Sequence, residues 1–272
     1  MNKRASMSES WPLPAPGPNR TGGAVWHARA LAARARWQPT RQAIAAWLDK
    51  LAFESSELVL VGASAGWMMS SAFLSRFKAV AAIDIDPIAR PLFALRHGLA
   101  LRASGVRVSW HAFDALGQLE QLLERWPSAA ILFDNVLGQQ IYRSHDLDRL
   151  ERALSGLAQS LSGRQWASLH DWLSGPANPP DPRAVFAGEM PRVRVDVSGV
   201  RSLSSGWPAA PPLSADSWEA LGPSLLAWLH AHGEWQDHRS AGIFPVGTEV
   251  CLIPWEFRMG KWHWLQAGHV NG

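Results

Sequence analysis

Leu58-Val59-Leu60-Val61-Gly62-Ala63-Ser64-Ala65-Gly66, followed by Ala79-Val80-Ala81-Ala82-Ile83-Asp84-Ile85-Asp86-Pro87, is the stretch that decides the fold. An apolar run, a loop of small side chains, a helical interval and a second apolar run ending in carboxylates read as strand, turn, helix, strand. That order places a ligand site at the carboxyl edge of a parallel sheet. A ligand approaches main chain closely only where side chains are small, and glycine also permits backbone angles that other residues resist. N–H groups near the start of the following helix suit a carboxylate or a phosphate. Pro87 fits the first turn of a further helix, with Asp86 as an alternative N-cap.

The glycine spacing separates two ligand classes. The dinucleotide pattern G-x-G-x-x-G would place its last glycine at Trp67, the bulkiest side chain. A small-x-small-x-Gly spacing fits Gly62, Ser64 and Gly66. This spacing resembles the first motif of class I S-adenosylmethionine-dependent methyltransferases, with Ser64 where many members carry glycine. The resemblance continues at Asp84, at Asp114 after the β-prone run Val106–Phe113, and at Asp134-Asn135 after Ala129-Ala130-Ile131-Leu132-Phe133. It covers roughly residues 55 to 175. It implies S-adenosylmethionine as cofactor, held by Gly62, Ala63, Ser64, Gly66, Asp84, Ile85, Asp114 and Asp134. Asp84 would accept from the ribose hydroxyls, Asp114 would lie near the adenine amino group, and the end of the fourth strand would border the transferred methyl.

The remaining pattern extends outward from this core. Strands are expected near 58–62, 79–84, 106–113, 129–134 and 165–170, and helices near 67–77, 87–103, 115–126 and 146–162. Alternation of this kind predicts a doubly wound, Rossmann-like α/β sheet with right-handed crossovers. Residues 24–37 and the stretch after Pro39 read as two N-terminal helices. The second carries Ile44, Trp47, Leu48 and Leu51 at apolar-face spacing. The first is basic. It reads as a solvated face, or as a cap over the cofactor that would bring Trp26, His27 and Arg29 to the substrate.

Beyond Asp171 the pattern changes. Two breaker-rich loops, Ser174–Pro182 and Ser202–Pro212, flank an alternating strand at Val193, Val195 and Val197. A helix is expected through Trp218, Leu221, Leu225, Trp228 and Leu229. A terminal hairpin is expected from Thr248–Phe257 and Lys261–Ala267 about Met259-Gly260, with Pro254 demanding an edge or a bulge. The family resemblance implies that the sheet is mostly parallel with an antiparallel C-terminal strand. The organisation expected is a disordered arm over 1–20, a helical cap over 21–54, a cofactor-binding core over 55–175, and substrate-cover loops with the hairpin over 176–272.

Composition narrows the function classes. The chain has 272 residues, 47% hydrophobic content and a formal charge of +3. No apolar run is long enough to span a bilayer, and the N-terminus lacks the apolar core of a signal peptide, so a soluble, cytoplasmic protein is expected. The single cysteine, Cys251, sits in an apolar run and reads as a buried small hydrophobe. No disulfide and no metal site is expected.

Methyl transfer asks mainly for alignment, with a base where the acceptor is an oxygen or nitrogen. Candidate catalytic residues are Asp134, Tyr142 and His170, with Trp26, Arg29, Asn135 and Gln139 on the substrate side. Val136-Leu137 replace the prolines of the Asn/Asp-Pro-Pro-aromatic motif, which argues against methylation of nucleic-acid amino groups. A small-molecule acceptor is preferred, and the basic first helix keeps RNA or a phosphorylated acceptor open. His263 and His269 are read as surface residues. Two rivals stand beside this reading. One is a non-catalytic binding protein on the same fold. The other is a serine hydrolase in which Gly62-x-Ser64-x-Gly66 is a nucleophile elbow, with Asp171 and His230 or His263 as partners.

Overall fold

The structure is a computed structural model that describes residues 22–179, 184–186, 190, 192–195 and 235–272. The arm over 1–20, the loop Ser202–Pro212, the helix through Trp218–Leu229 and His230 fall outside the described residues.

Two helices, α1 (Gly23–Ala32) and α2 (Gln38–Asp49), precede the alternating core. The core runs β1 (Glu57–Val61), α3 (Ser71–Leu74), β2 (Ala79–Ile83), α4 (Ala89–Ala103), β3 (Arg107–His111), α5 (Leu119–Arg125), β4 (Ala130–Asp134), α6 (Leu147–Ser160) and β5 (Trp166–Pro176). Four further strands follow: β6 (Arg192–Arg194), β7 (Gln236–Asp237), β8 (Glu249–Arg258) and β9 (Lys261–Val270).

The sheet order is β3-β2-β1-β4-β5-β9-β8-β6, with β7 added along β5. From β3 to β5 every pairing is parallel. β9 is antiparallel to both β5 and β8, as the C-terminal hairpin required. Chain order reverses between β1 and β4, so a crevice opens outside their carboxyl ends.

Period-two alternation buries both faces of the central strands. Val59, Val61, Ile131 and Phe133 pack with Leu122 of α5 and Leu150, Leu154 and Leu157 of α6. Leu58, Leu60 and Leu132 pack on the other side with Ile44 and Leu48 of α2, Phe73 of α3 and Phe93 of α4. Pro254 has a simple explanation. β6 pairs β8 only from Glu249 to Cys251, so Pro254 lies on a locally unpaired edge. α2 covers that edge, with the Thr40 hydroxyl donating to the Pro254 carbonyl at 2.9 Å and the Trp37 indole to that of Phe257 at 3.2 Å.

One element is much shorter than expected. The helix predicted over 67–77 is only α3, capped by Ser70 Oγ accepting from the Phe73 N–H. Residues 67–70 are irregular because Trp67, Met68 and Met69 all turn into the core beside α1 and α2. The turn at Gly62–Gly66 therefore does not lead directly into a helix N-terminus. Cys251 is half-buried, and burial pushes its thiol up to about 11.

Candidate functional site

A cavity of about 700 Å³ occupies the crevice between β1 and β4. β1 delivers Gly62 to it, β2 delivers Asp84, and β4 delivers Asp134 and Asn135. Gly62 turns the chain at φ 75°, and a Cβ there would stand 2.8 Å from the Asp134 carbonyl oxygen. Only glycine fits this approach of two strand ends. Ser64 is also left-handed, at φ 47°, and its N–H donates to Asp84 Oδ2 at 2.7 Å. Asp84 Oδ1 accepts from the Asp86 N–H at 2.8 Å, so one carboxylate staples the turn after β1 to the turn after β2.

The electrostatics of the floor are unusual. Burial pushes the Asp84 carboxyl above its ordinary range, and its two N–H donors offset only part of that. Asp134 is pushed up to about 7, first by burial and then by the charge of Asp84. Its Oδ1 is buried without a hydrogen-bond partner. Two carboxyl groups held in one cavity favour a positively charged ligand, because such a ligand stabilises both ionised forms.

α1 forms the roof. Asp86 Oδ2 accepts from the Gly23 N–H and from His27 Nε2 at 3.1 Å, and Oδ1 accepts from the Ile88 N–H at 2.9 Å. The Trp67 indole donates to His27 Nδ1 at 2.9 Å. An indole N–H can only donate, so Nδ1 is the acceptor and Nε2 carries the proton that Asp86 receives. The neighbouring Trp26 lines the cavity and donates from Nε1 to Ser64 Oγ at 3.1 Å. The helix read as a solvated basic face is thus, on one side, a latched cover.

A second network stands at the far end. Asn135, at φ 53°, accepts from the Asp171 N–H through Oδ1 at 2.8 Å and donates through Nδ2 to Asp171 Oδ2 at 3.2 Å. Asp171 Oδ1 meets His263 Nδ1 at 2.9 Å. Burial alone would raise the Asp171 carboxyl, but the charge and hydrogen bond of His263 hold it below its ordinary value. The β5–β9 register shifts between Asp171 and Leu173, a bulge at Trp172. That extra residue turns Ser174 to the same face as Asp171, opposite His263. His238 bridges the Gly138 carbonyl at 2.8 Å and Ser174 Oγ at 2.9 Å, and burial pushes it down to about 4.

The sequence-predicted residues divide cleanly. Trp26, Gly62, Ser64, Asp84, Ile85, Asp114, Asp134, Asn135, Gln139 and Tyr142 all line the cavity. Asp114 is paired with Arg143 at 3.0 Å. Burial and the Asp171 charge push the Tyr142 phenol up to about 12, so near neutral pH it is a hydrogen-bonding group rather than a base. Ala63 and Gly66 lie behind the lining, where the Gly66 carbonyl meets His97 Nε2 at 3.2 Å. Arg29 stands over the Phe257 ring at 5.2 Å, outside the lining.

His170 does not reach the site. It is fully buried, bonded to Ser168 Oγ at 2.8 Å and Gln266 Oε1 at 3.3 Å, and stacked on Phe244. Burial pushes it down to about 4, and consecutive residues on β5 face opposite sides, so it lies away from Asp171. His263 corrects in the other direction. It is 5% exposed rather than at the surface, and His269 is half-buried against Phe53. Sequence separation hid the Asp171–His263 pair. Only the insertion of β9 between β5 and β8 buries both faces of that strand. Ser64 has no imidazole partner among the described residues, although Asp171 and His263 do meet.

No protein-family profile matches the sequence, and no curated protein matches it. Solved structures of similar architecture include an O-methyltransferase family protein from Burkholderia thailandensis, with 11% identity over 90% of this chain and a TM-score of 0.38. This chain spans 58% of that protein. The methyltransferase domain of a bacterial Hen1 protein gives 12% identity and a TM-score of 0.38, covering 87% of this chain and 98% of its own. Haemonchus contortus phosphoethanolamine N-methyltransferase 1, solved with phosphoethanolamine and S-adenosylhomocysteine, gives 13% identity and a TM-score of 0.38 over 93% of this chain and 46% of its own. At these values the likeness carries no argument about fold or activity. The strand order itself defines the class: a Rossmann-like, mostly parallel sheet with an antiparallel C-terminal hairpin and N-terminal helices. Among the described residues no helix is long and apolar enough to cross a membrane.

Proposed function

We propose that this chain is an S-adenosylmethionine-dependent methyltransferase acting on a small-molecule acceptor. The observation that carries the reading is the pair Asp84 and Asp134, both raised, facing one cavity against a turn bare enough for a ligand at Gly62. The unpartnered Asp134 Oδ1 is an acceptor waiting for a donor. A sulfonium ion that also bears an ammonium group supplies the positive charge this floor lacks.

Asp84 would hold the ribose hydroxyls, Ile85 and Asp114 would border the base, and Asp134 would meet the cationic end. When bound, S-adenosylmethionine supplies an already activated methyl group. The residues of the chain then act by placement. Trp26 and the Asp86-latched α1 exclude water from above. Asn135, held at both ends by Asp171, presents a fixed amide to the acceptor, and Gln139 and Tyr142 line the same wall. Rigid placement of this kind is the main contribution a protein makes to such a reaction.

Calorimetry of the full chain with S-adenosylmethionine and S-adenosylhomocysteine tests the reading. Saturable binding that is lost in Asp84→Ala is expected, while no binding to the parent protein overturns it. Binding without turnover on any acceptor would instead favour a non-catalytic binding protein. The Asp171–His263 pair makes no contact with Ser64 among the described residues, so it does not favour a serine hydrolase. A fluorophosphonate adduct at Ser64 would establish a hydrolase.

A further inference from the structure

A second cleft lies beside the segment that follows the Gly62–Gly66 turn. It spans about 490 Å³ between the α1–α2 connection, α2 and residues 68–70, and Arg34, Gln38, Arg41, Gln42 and Ser70 line it. Every polar side chain in that lining can donate a hydrogen bond, and no carboxylate side chain lines it among the described residues. Ser70 Oγ already accepts from the Phe73 N–H, which leaves its own O–H to donate.

Arg96 of α4 stands close behind. Its guanidinium lies 4.3 Å over the Trp67 ring, and its Nη2 makes only a long contact to the Gly66 carbonyl at 3.5 Å. Burial, and then the charge of Arg41, hold Arg96 below its ordinary range. Arg41 and Arg96 also act on His97, whose ring is pushed down to about 4 chiefly by burial. The cations therefore gather rather than spread. None of Arg34, Arg41 and Arg96 has a carboxylate partner among the described residues.

The Nε atoms of Arg41 and Arg96 are both buried and without an acceptor. A buried guanidinium N–H left unpaired destabilises the fold unless something supplies the missing acceptor. The first turn of α2 holds no acidic residue and no capping side chain that could do so.

We infer that this cleft binds a phosphate-bearing anion, in the class of phosphate monoesters and diphosphates. Tetrahedral oxygens match the planar donor fork of arginine, and several oxygens on one ligand can serve two guanidinium groups, two amides and a hydroxyl together. Met68 lines both cavities, so a bound anion rests against a residue that also borders the larger site. The inference is independent of the methyl-transfer reading and stands if that reading fails.

The test is calorimetric titration of the full chain with inorganic pyrophosphate and with phenyl phosphate, at low and moderate salt. Saturable one-to-one binding that weakens with salt is expected. Arg41→Gln/Arg96→Gln should bind at least about tenfold more weakly, because one lining guanidinium and the positive charge behind it are both lost. Arg34→Gln, at an exposed position, should weaken binding severalfold and guards against misfolding of the double variant. Pyrophosphate binding without phenyl phosphate binding assigns the cleft to free diphosphate, and comparable binding of both assigns it to a phosphate ester. Absence of saturable binding, or equal affinity in folded Arg41→Gln/Arg96→Gln, overturns the inference.

Discussion

Replacing Asp134 by asparagine should flatten the pH dependence of stability, by an amount the structure sets. In the folded protein this carboxyl titrates at about 7, against an ordinary value of 3.8. The folded state thus holds the proton more tightly than the unfolded chain does. Its stabilising contribution is complete below pH 3.8 and is lost as pH rises through about 7. Integrating the two titrations gives a total penalty of about 4 kcal/mol well above pH 7, of which about 2 kcal/mol appears between pH 5.5 and 8. Asparagine has nearly the same shape and carries no charge, so Asp134→Asn should not share that loss.

Urea denaturation followed by tryptophan fluorescence measures the effect, and sixteen tryptophans give ample signal. The wild type should lose about 2 kcal/mol more than Asp134→Asn between pH 5.5 and 8. The same carboxyl should govern ligand binding. S-adenosylmethionine should bind more weakly as pH falls below 7 in the wild type, and weakly at all pH values in the variant. Parallel stability curves for the two proteins would refute the reasoning, because Asp134 would then have no raised titration in the fold.

Two further outcomes follow from the latches. Asp86→Asn removes the charged acceptor shared by Gly23 and His27 and should cost about 1–3 kcal/mol. Hydrogen exchange should show faster opening of α1, with β1 and β4 little affected. His263→Phe should leave Asp171 buried beside Asn135 without its imidazole partner, which raises the Asp171 titration and loosens Asn135. Turnover should then fall with little change in cofactor affinity, while a parallel loss of both would place His263 in the cofactor site instead.

The five parallel strands and the long helices were legible from the sequence, because their signal is local. Val59, Leu60, Ile131 and Leu132 sit in continuous apolar runs, the pattern of strands buried on both faces. The stripe at Leu150, Leu154 and Leu157 identifies α6 in the same way. The small-residue turn and Asp84 mark the sheet edge that borders the cavity, because the close approach of two strand ends at Gly62 needs glycine.

What the sequence could not decide was which distant groups would meet. His27 and Asp86 lie 59 residues apart, and Asp171 and His263 lie 92 apart. In the chain His170 read as a catalytic candidate and His263 as a surface residue. The strand order buries one against Phe244 and pairs the other with a carboxylate. The raised titration of Asp134 likewise comes from burial and from Asp84 on a different strand. Periodicity records which face of an element is apolar, but pairing and desolvation depend on neighbours that only the folded sheet brings together.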